Sequence, residues 1–145
     1  VFIAATLFFI WSNSLADAPE STVRSDGVIE WLKPIVDPQD KIDEGTFTFA
    51  VRKTAHFTEF AVLGGEIFLL LSTFGENFPK RLRRVPASGL LACGVAVIDE
   101  ILQLFSPGRA CRVTDMMIDT AGALTGALVL CGITAVIVKI RGRVN

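Results

Sequence analysis

Tyrosine is absent from this chain of 145 residues, histidine occurs once, and cysteine occurs three times. Cys93 and Cys131 fall in apolar stretches at different depths and Cys111 in a polar loop, so neither a disulfide framework nor a thiolate metal site is expected. No stretch interleaves basic and aromatic residues, which gives nucleic acid no surface to bind. Charged residues are also scarce, at 20% against 51% hydrophobic. With a mean hydropathy of +0.53, the composition is too apolar for an ordinary soluble domain.

What the chain does have is long apolar runs. Ala50 to Phe74, Val85 to Phe105 and Val113 to Val138 each approach the roughly 20 residues that span a bilayer core. A fourth run opens the chain, from Val1 to Trp11, and at about 1.5 Å per residue it covers only about half a crossing. Residue 1 is Val, and neither a basic leader nor an A-x-A-like cleavage site is visible. The chain is therefore expected to begin inside a transmembrane helix. The expected fold is all-α, one domain over residues 1–145, a bundle of four transmembrane helices at about 1–12, 50–74, 85–105 and 113–138.

Charge asymmetry orients that bundle. Acidic residues outnumber basic ones between Ser12 and Thr48, whereas the next loop carries Lys80, Arg81, Arg83 and Arg84 and the tail Lys139, Arg141 and Arg143. The positive-inside rule places the two basic segments and both termini in the cytoplasm and the acidic loop outside. That loop has one apolar series at helical spacing, Val28, Ile29, Trp31, Leu32, Ile35 and Val36, after the candidate caps Ser25 and Asp26; Pro34 weakens it. A short interfacial helix with Trp31 at headgroup level and a surface helix packed on the bundle are equally open readings.

Threaded in this way, the polar ends of the apolar runs meet on the outer face. Arg52, His56, Glu59 and Leu63 follow i, i+4, i+7, i+11 and share one stripe, from which Lys53 diverges. Asp115, Asp119, Gly122 and Gly126 repeat the spacing, their lower half a G-x-x-x-G step that lets a neighbouring backbone approach closely. Between them lie Asp99, Glu100 and Gln103, followed by Ser106-Pro107-Gly108-Arg109, the pattern of a type II turn. Asp99 and Glu100 are adjacent and cannot share a helix face, so at most one is expected to project fully into a site.

Charged groups at membrane depth cost free energy unless they pair or face a water-filled cavity. Pure ion pairing would have Arg52, Lys53, Arg109 and Arg112 neutralise the acids, with Asp115 capping its helix and Lys53 and Arg112 reaching back to the interface. Against this stands the mixture of one imidazole, carboxylates, an amide and guanidinium groups. His56, Glu59, Asp99, Glu100 and Asp119 are the candidate catalytic residues, and Arg52, Gln103, Arg109, Asp115 and Ser12 the candidate binding residues. Ser14 also reaches the outer face, and Glu66 lies two turns deeper without an assigned role. No metal is assigned, because no specific ligand spacing such as HExxH is present. Oxygen ligands from Glu59, Asp99, Glu100, Asp115 and Asp119, with His56, nevertheless leave a divalent ion open.

WSNS at Trp11 to Ser14, RKTAHFTEFAVLG at Arg52 to Gly64 and DEILQLFSPGRACRVTDMMIDTAGALTG at Asp99 to Gly126 together resemble the VanZ-like membrane proteins. The resemblance implies a small four-helix bacterial membrane protein of a family named for low-level teicoplanin resistance. It points to Arg52, His56, Glu59, Asp99, Glu100, Gln103, Arg109, Asp115 and Asp119. It supplies no reaction, which must come from the site. The leading expectation is a pocket for the head group of a lipid-linked precursor, phospholipid or lipoglycopeptide; the alternatives are an enzyme acting on that head group and a structural or transport accessory. Oligomeric state is not legible in the sequence.

Overall fold

The computed structural model describes residues 2–16, 18–74 and 82–144. Among them lie five helices and no strand: α1 (Phe2–Ser14), α2 (Ala18–Val36), α3 (Glu44–Thr73), α4 (Arg84–Gln103) and α5 (Val113–Val144). Three, Glu44–Thr73, Arg84–Gln103 and Val113–Gly142, are long and apolar enough to cross a membrane, while Phe2–Ser14 is a shorter apolar helix. Their outward faces carry large apolar side chains such as Leu69, Leu70, Leu90, Leu91, Val129 and Ile133, as a lipid-facing surface requires. Val1, Phe78, Pro79, Lys80 and Arg81 lie outside the described residues.

Local chemistry explains where the helices depart from the expected limits. α3 begins six residues before Ala50 because the Asp43 carboxylate accepts the Thr46 N–H at 2.9 Å, an N-cap that satisfies an orphan donor. Just upstream, the buried Asp37 carboxylate accepts the N–H groups of Lys41 and Ile42 at 3.0 and 2.7 Å and fixes the turn into α3. α2 begins at Ala18, so Ser25 and Asp26 are interior residues rather than caps. Pro19 falls in the first turn, where its missing N–H has no intrahelical acceptor to lose. Pro34 lies inside the last turn of the helix, which runs on to Val36.

α3 packs most extensively on α5, and α4 packs on both. The core is built from large residues on α3 set against mostly small ones opposite. Phe60, Leu63 and Ile67 meet Ala92 and Ala96 of α4, Ala123 of α5 and Ile10 of α1. Phe68 continues this core to Val85, Ala127 and Cys131. The G-x-x-x-G step brings two helix backbones together. A Cβ added to Gly122 would lie 2.3 Å from the Phe57 carbonyl oxygen, and one added to Gly126 would lie 1.8 Å from that of Ala61. α3 and α5 therefore cross at backbone contact.

This crossing predicts a sharp contrast along one helix. Gly126→Ala must push α5 off α3 and should lower the unfolding free energy by about 1–3 kcal/mol, the usual cost of overpacking. Gly132→Ala, with nothing within 4 Å of the added Cβ, should be neutral or slightly stabilising. Thermal unfolding of both variants in detergent checks this; equal midpoints would show that the helices are not in contact there.

Candidate functional site

Four helices supply the polar residues, and all converge toward one end of the bundle. α1 ends in Asn13 and Ser14, the first half of α3 carries Arg52, Lys53, His56 and Glu59, α4 ends in Asp99, Glu100 and Gln103, and α5 opens with Asp115 and Asp119. The connection from α4 to α5 closes over them. Its Arg109 N–H donates to the Ser106 carbonyl at 3.2 Å and Gly108 takes φ 78°, the positive value that the Ser106–Arg109 turn demands of glycine. The turn is stitched to α1, because the Ser106 hydroxyl and the Arg109 guanidinium both donate to the Ser14 carbonyl, at 3.0 and 3.4 Å. That carbonyl is one of the orphan acceptors at the end of α1.

The acids divide by what they touch. Glu100 is fully buried and turns to the loop, where it accepts the Arg112 N–H at 2.6 Å. Asp115 pairs with Lys53, whose long side chain crosses from α3 to α5 and also lies 5.3 Å from the centre of the Phe49 ring. Lys53 thus joins the cluster, although its helical position diverges from the Arg52/His56/Glu59 stripe. Glu59 accepts an N–H from the Asn13 amide at 3.1 Å, and Asp99 accepts one from Gln103 at 3.3 Å, the i, i+4 alternative for that amide. Asp119 is 1% exposed, and neither of its oxygens has a hydrogen-bond partner among the described residues. One ligand atom each from His56, Asp99 and Asp119 lie within 4.8 Å of one another. Of the adjacent pair, Asp99 therefore faces the other polar stripes and Glu100 holds the turn. The Ser12 hydroxyl donates to the Phe9 carbonyl of its own helix at 2.9 Å, whereas its neighbours Asn13 and Ser14 make the contacts to the cluster.

Three cavities adjoin these residues in series. A polar cavity of about 290 Å³ is lined by Arg52, Lys53, Arg109 and Arg112, with His56, Gln103 and Asp115. Burial, with Arg52 close by, holds the Arg109 guanidinium below its ordinary pKa. A second cavity, about 400 Å³, shares Arg52, His56 and Arg109 with the first and adds Asn13 and Glu59. It in turn shares Phe9, Val28, Val51, Ala55 and Glu59 with a groove of about 780 Å³ between α1, α2 and α3. That groove is almost wholly apolar; Val28, Leu32 and Val36, one face of α2, line it opposite Phe47, Ala50 and Val62 of α3.

Asn13, Lys53 and Arg112 belong to the site; the sequence offered Lys53 and Arg112 only as ion-pair partners of the acids and gave Asn13 no role. The signal for Asn13 is its place beside Ser14 at the end of an apolar run; for Lys53 it is reach rather than helical angle. Glu66 stays outside this end of the bundle, half-buried in α3 with one oxygen buried and unbonded among the described residues.

A family model described as VanZ/LLP1 matches residues 1–137. No curated protein and no solved structure matches the chain.

Glu100→Ala should free the Arg112 N–H and loosen the turn that roofs the site. Losing a charged acceptor costs about 1–3 kcal/mol, so amide hydrogen exchange at Arg112 should speed up tenfold or more. Unchanged exchange at Arg112 would show that Glu100 does not hold the loop.

Proposed function

The chain belongs to the VanZ/LLP1 family, and from that premise we propose that it is a multi-pass membrane protein that binds the head group of an envelope amphiphile at the outer leaflet. In this reading α1 is part of a fourth crossing, both termini are cytoplasmic, and α2 lies along the outer interface with Trp31 at headgroup level. The 70% exposure of Trp31 supports that placement.

One observation carries the proposal: a basic cavity and an apolar groove each share lining residues with a third cavity that lies between them. The two environments match the two halves of an amphiphile. Arg52 and Arg109 suit the phosphate or carboxylate of a head group, since guanidinium forks bind such oxygens in pairs. The groove, within the roughly 300–1,000 Å³ of small-molecule pockets, takes the apolar chain. A lipid-linked wall precursor, a phospholipid and an acylated glycopeptide such as teicoplanin share this chemistry. Binding alone accounts for a resistance phenotype if it sequesters the drug or shields its target.

The meeting of His56 with Asp99 and Asp119 favours a second reading, an enzyme that hydrolyses or transfers the bound head group with His56 as acid or base. It requires a chemically altered envelope. Lipid and wall-precursor profiles that are identical with and without the protein would sink this second reading and leave the first standing.

Binding is tested by native mass spectrometry of the protein released from nanodiscs containing phosphatidylglycerol, a polyprenyl diphosphate or teicoplanin. The expected result is one retained amphiphile per chain, with at least tenfold weaker retention after Arg52→Ala or Arg109→Ala, since hydrogen bonds to charged groups are each worth about 1.5–3 kcal/mol. No retained amphiphile, or retention unchanged in both variants, would count decisively against it.

A further inference from the structure

Asp119 poses a problem that neither the basic cavity nor the groove solves. Its carboxylate is 1% exposed, sits in the membrane-spanning part of α5, and has no hydrogen-bond partner on either oxygen among the described residues. Asp99, fully buried on α4, has an oxygen in the same small volume, and His56 of α3 brings a ring nitrogen to it. Three different helices thus aim one donor atom each at a common point. Each other acid of this end has a partner elsewhere, Glu100 the Arg112 N–H, Asp115 Lys53 and Glu59 Asn13, although Glu59 and Glu100 each keep one oxygen unbonded among the described residues. Two carboxylates within 4.8 Å of one another in a water-poor interior are costly as bare anions. A doubly charged cation cancels both charges at once.

We propose that His56, Asp99 and Asp119 form a binding site for a divalent transition-metal ion, with Zn²⁺ the best match. One imidazole and two carboxylates are a mixed nitrogen and oxygen donor set of the kind that zinc accepts, and three protein ligands leave a fourth position open. A tetrahedral ion with bonds of about 2.0–2.1 Å holds its ligands roughly 3.4 Å apart, so shifts of under about 1 Å per side chain close a spacing that is at most 4.8 Å. The surroundings fit the further demands of such a site. Asp99 is held by the Gln103 amide at 3.3 Å, an orienting contact of the type that positions metal-ligating carboxylates. His56 lines both the basic cavity and its neighbour, so an ion bound to it is reached from the head-group side. Gly122, one turn below Asp119, locks α5 against Phe57, the residue next to His56, and so fixes the distance between two of the ligands.

The site stands or falls independently of amphiphile binding, because the probe is the metal alone. The tag-free full chain, purified in detergent and stripped with a chelator, is titrated calorimetrically with Zn²⁺. One ion per chain is expected, with affinity reduced at least a hundredfold in His56→Ala and in Asp119→Asn and unchanged in Cys111→Ser, whose exposed thiol is the obvious competing ligand. His56 is the only histidine, so imidazole nitrogen couplings in the pulsed electron paramagnetic resonance of bound Cu²⁺ must come from it, and they report on the wild-type chain should either variant fail to fold. No stoichiometric Zn²⁺ binding by the wild-type chain overturns the proposal, as does binding that survives both ligand substitutions or a bound Cu²⁺ without nitrogen coupling. A raised unfolding temperature for Asp119→Asn with no metal bound to the wild type overturns it too, and identifies a carboxyl pair sharing a proton instead.

Discussion

Gly122 and Gly126 press α5 against the carbonyls of Phe57 and Ala61 at distances that no side chain would permit, and this backbone crossing sets the register of everything polar above it. Asp119 lies one turn from Gly122, and His56 directly precedes Phe57. Sliding either helix by a residue would rotate one of these groups out of the bundle. Because lipid offers no hydrophobic force between helices, close packing of small residues is what holds such a register. Ala92 and Ala96 extend the same device to α4, and with Ala123 and Ala127 of α5 they let Phe60 and Phe68 of α3 be fully enclosed.

Above the crossing the constraint changes from packing to solvation. Every buried acid must be paired, hydrogen-bonded or hydrated, and the fold resolves the acids in different ways. Glu100 and Asp115 are committed to structure, one holding the α4–α5 loop through the Arg112 N–H and the other bound to Lys53. Glu59, Asp99 and Asp119 keep oxygens directed inward beside His56 and the arginine-lined cavity. Cations, the imidazole and Asp115 line one cavity, and an apolar groove lies beyond its neighbour. That order suits a molecule whose charged head and greasy tail arrive together from the membrane.

The architecture was legible in the sequence wherever it followed from period or composition. Apolar runs gave the long helices, the i, i+4, i+7 spacing gave the two stripes, and Ser106-Pro107-Gly108-Arg109 gave a turn whose hydrogen bond and positive φ are both present. Helix limits were less legible, because they depend on single contacts such as the Asp43 cap, or on the tolerance of α2 for its prolines. Side-chain roles were least legible. Helical angle sent Lys53 away from the site, yet four methylenes carry its charge across to Asp115. Adjacent acids at 99 and 100 look equivalent in sequence and are separated only by what lies opposite each, Gln103 on one side and the Arg112 backbone on the other.

The central claim is that the basic cavity and the apolar groove form one compartment for one amphiphile. A cryo-electron microscopy structure of the protein in nanodiscs made from native envelope lipids tests it most directly. The account predicts elongated density with its head between Arg52 and Arg109 and its tail along Val28, Leu32 and Val36. A map in which those arginines are closed onto the neighbouring carboxylates, with the groove filled by the protein's own side chains, would contradict it.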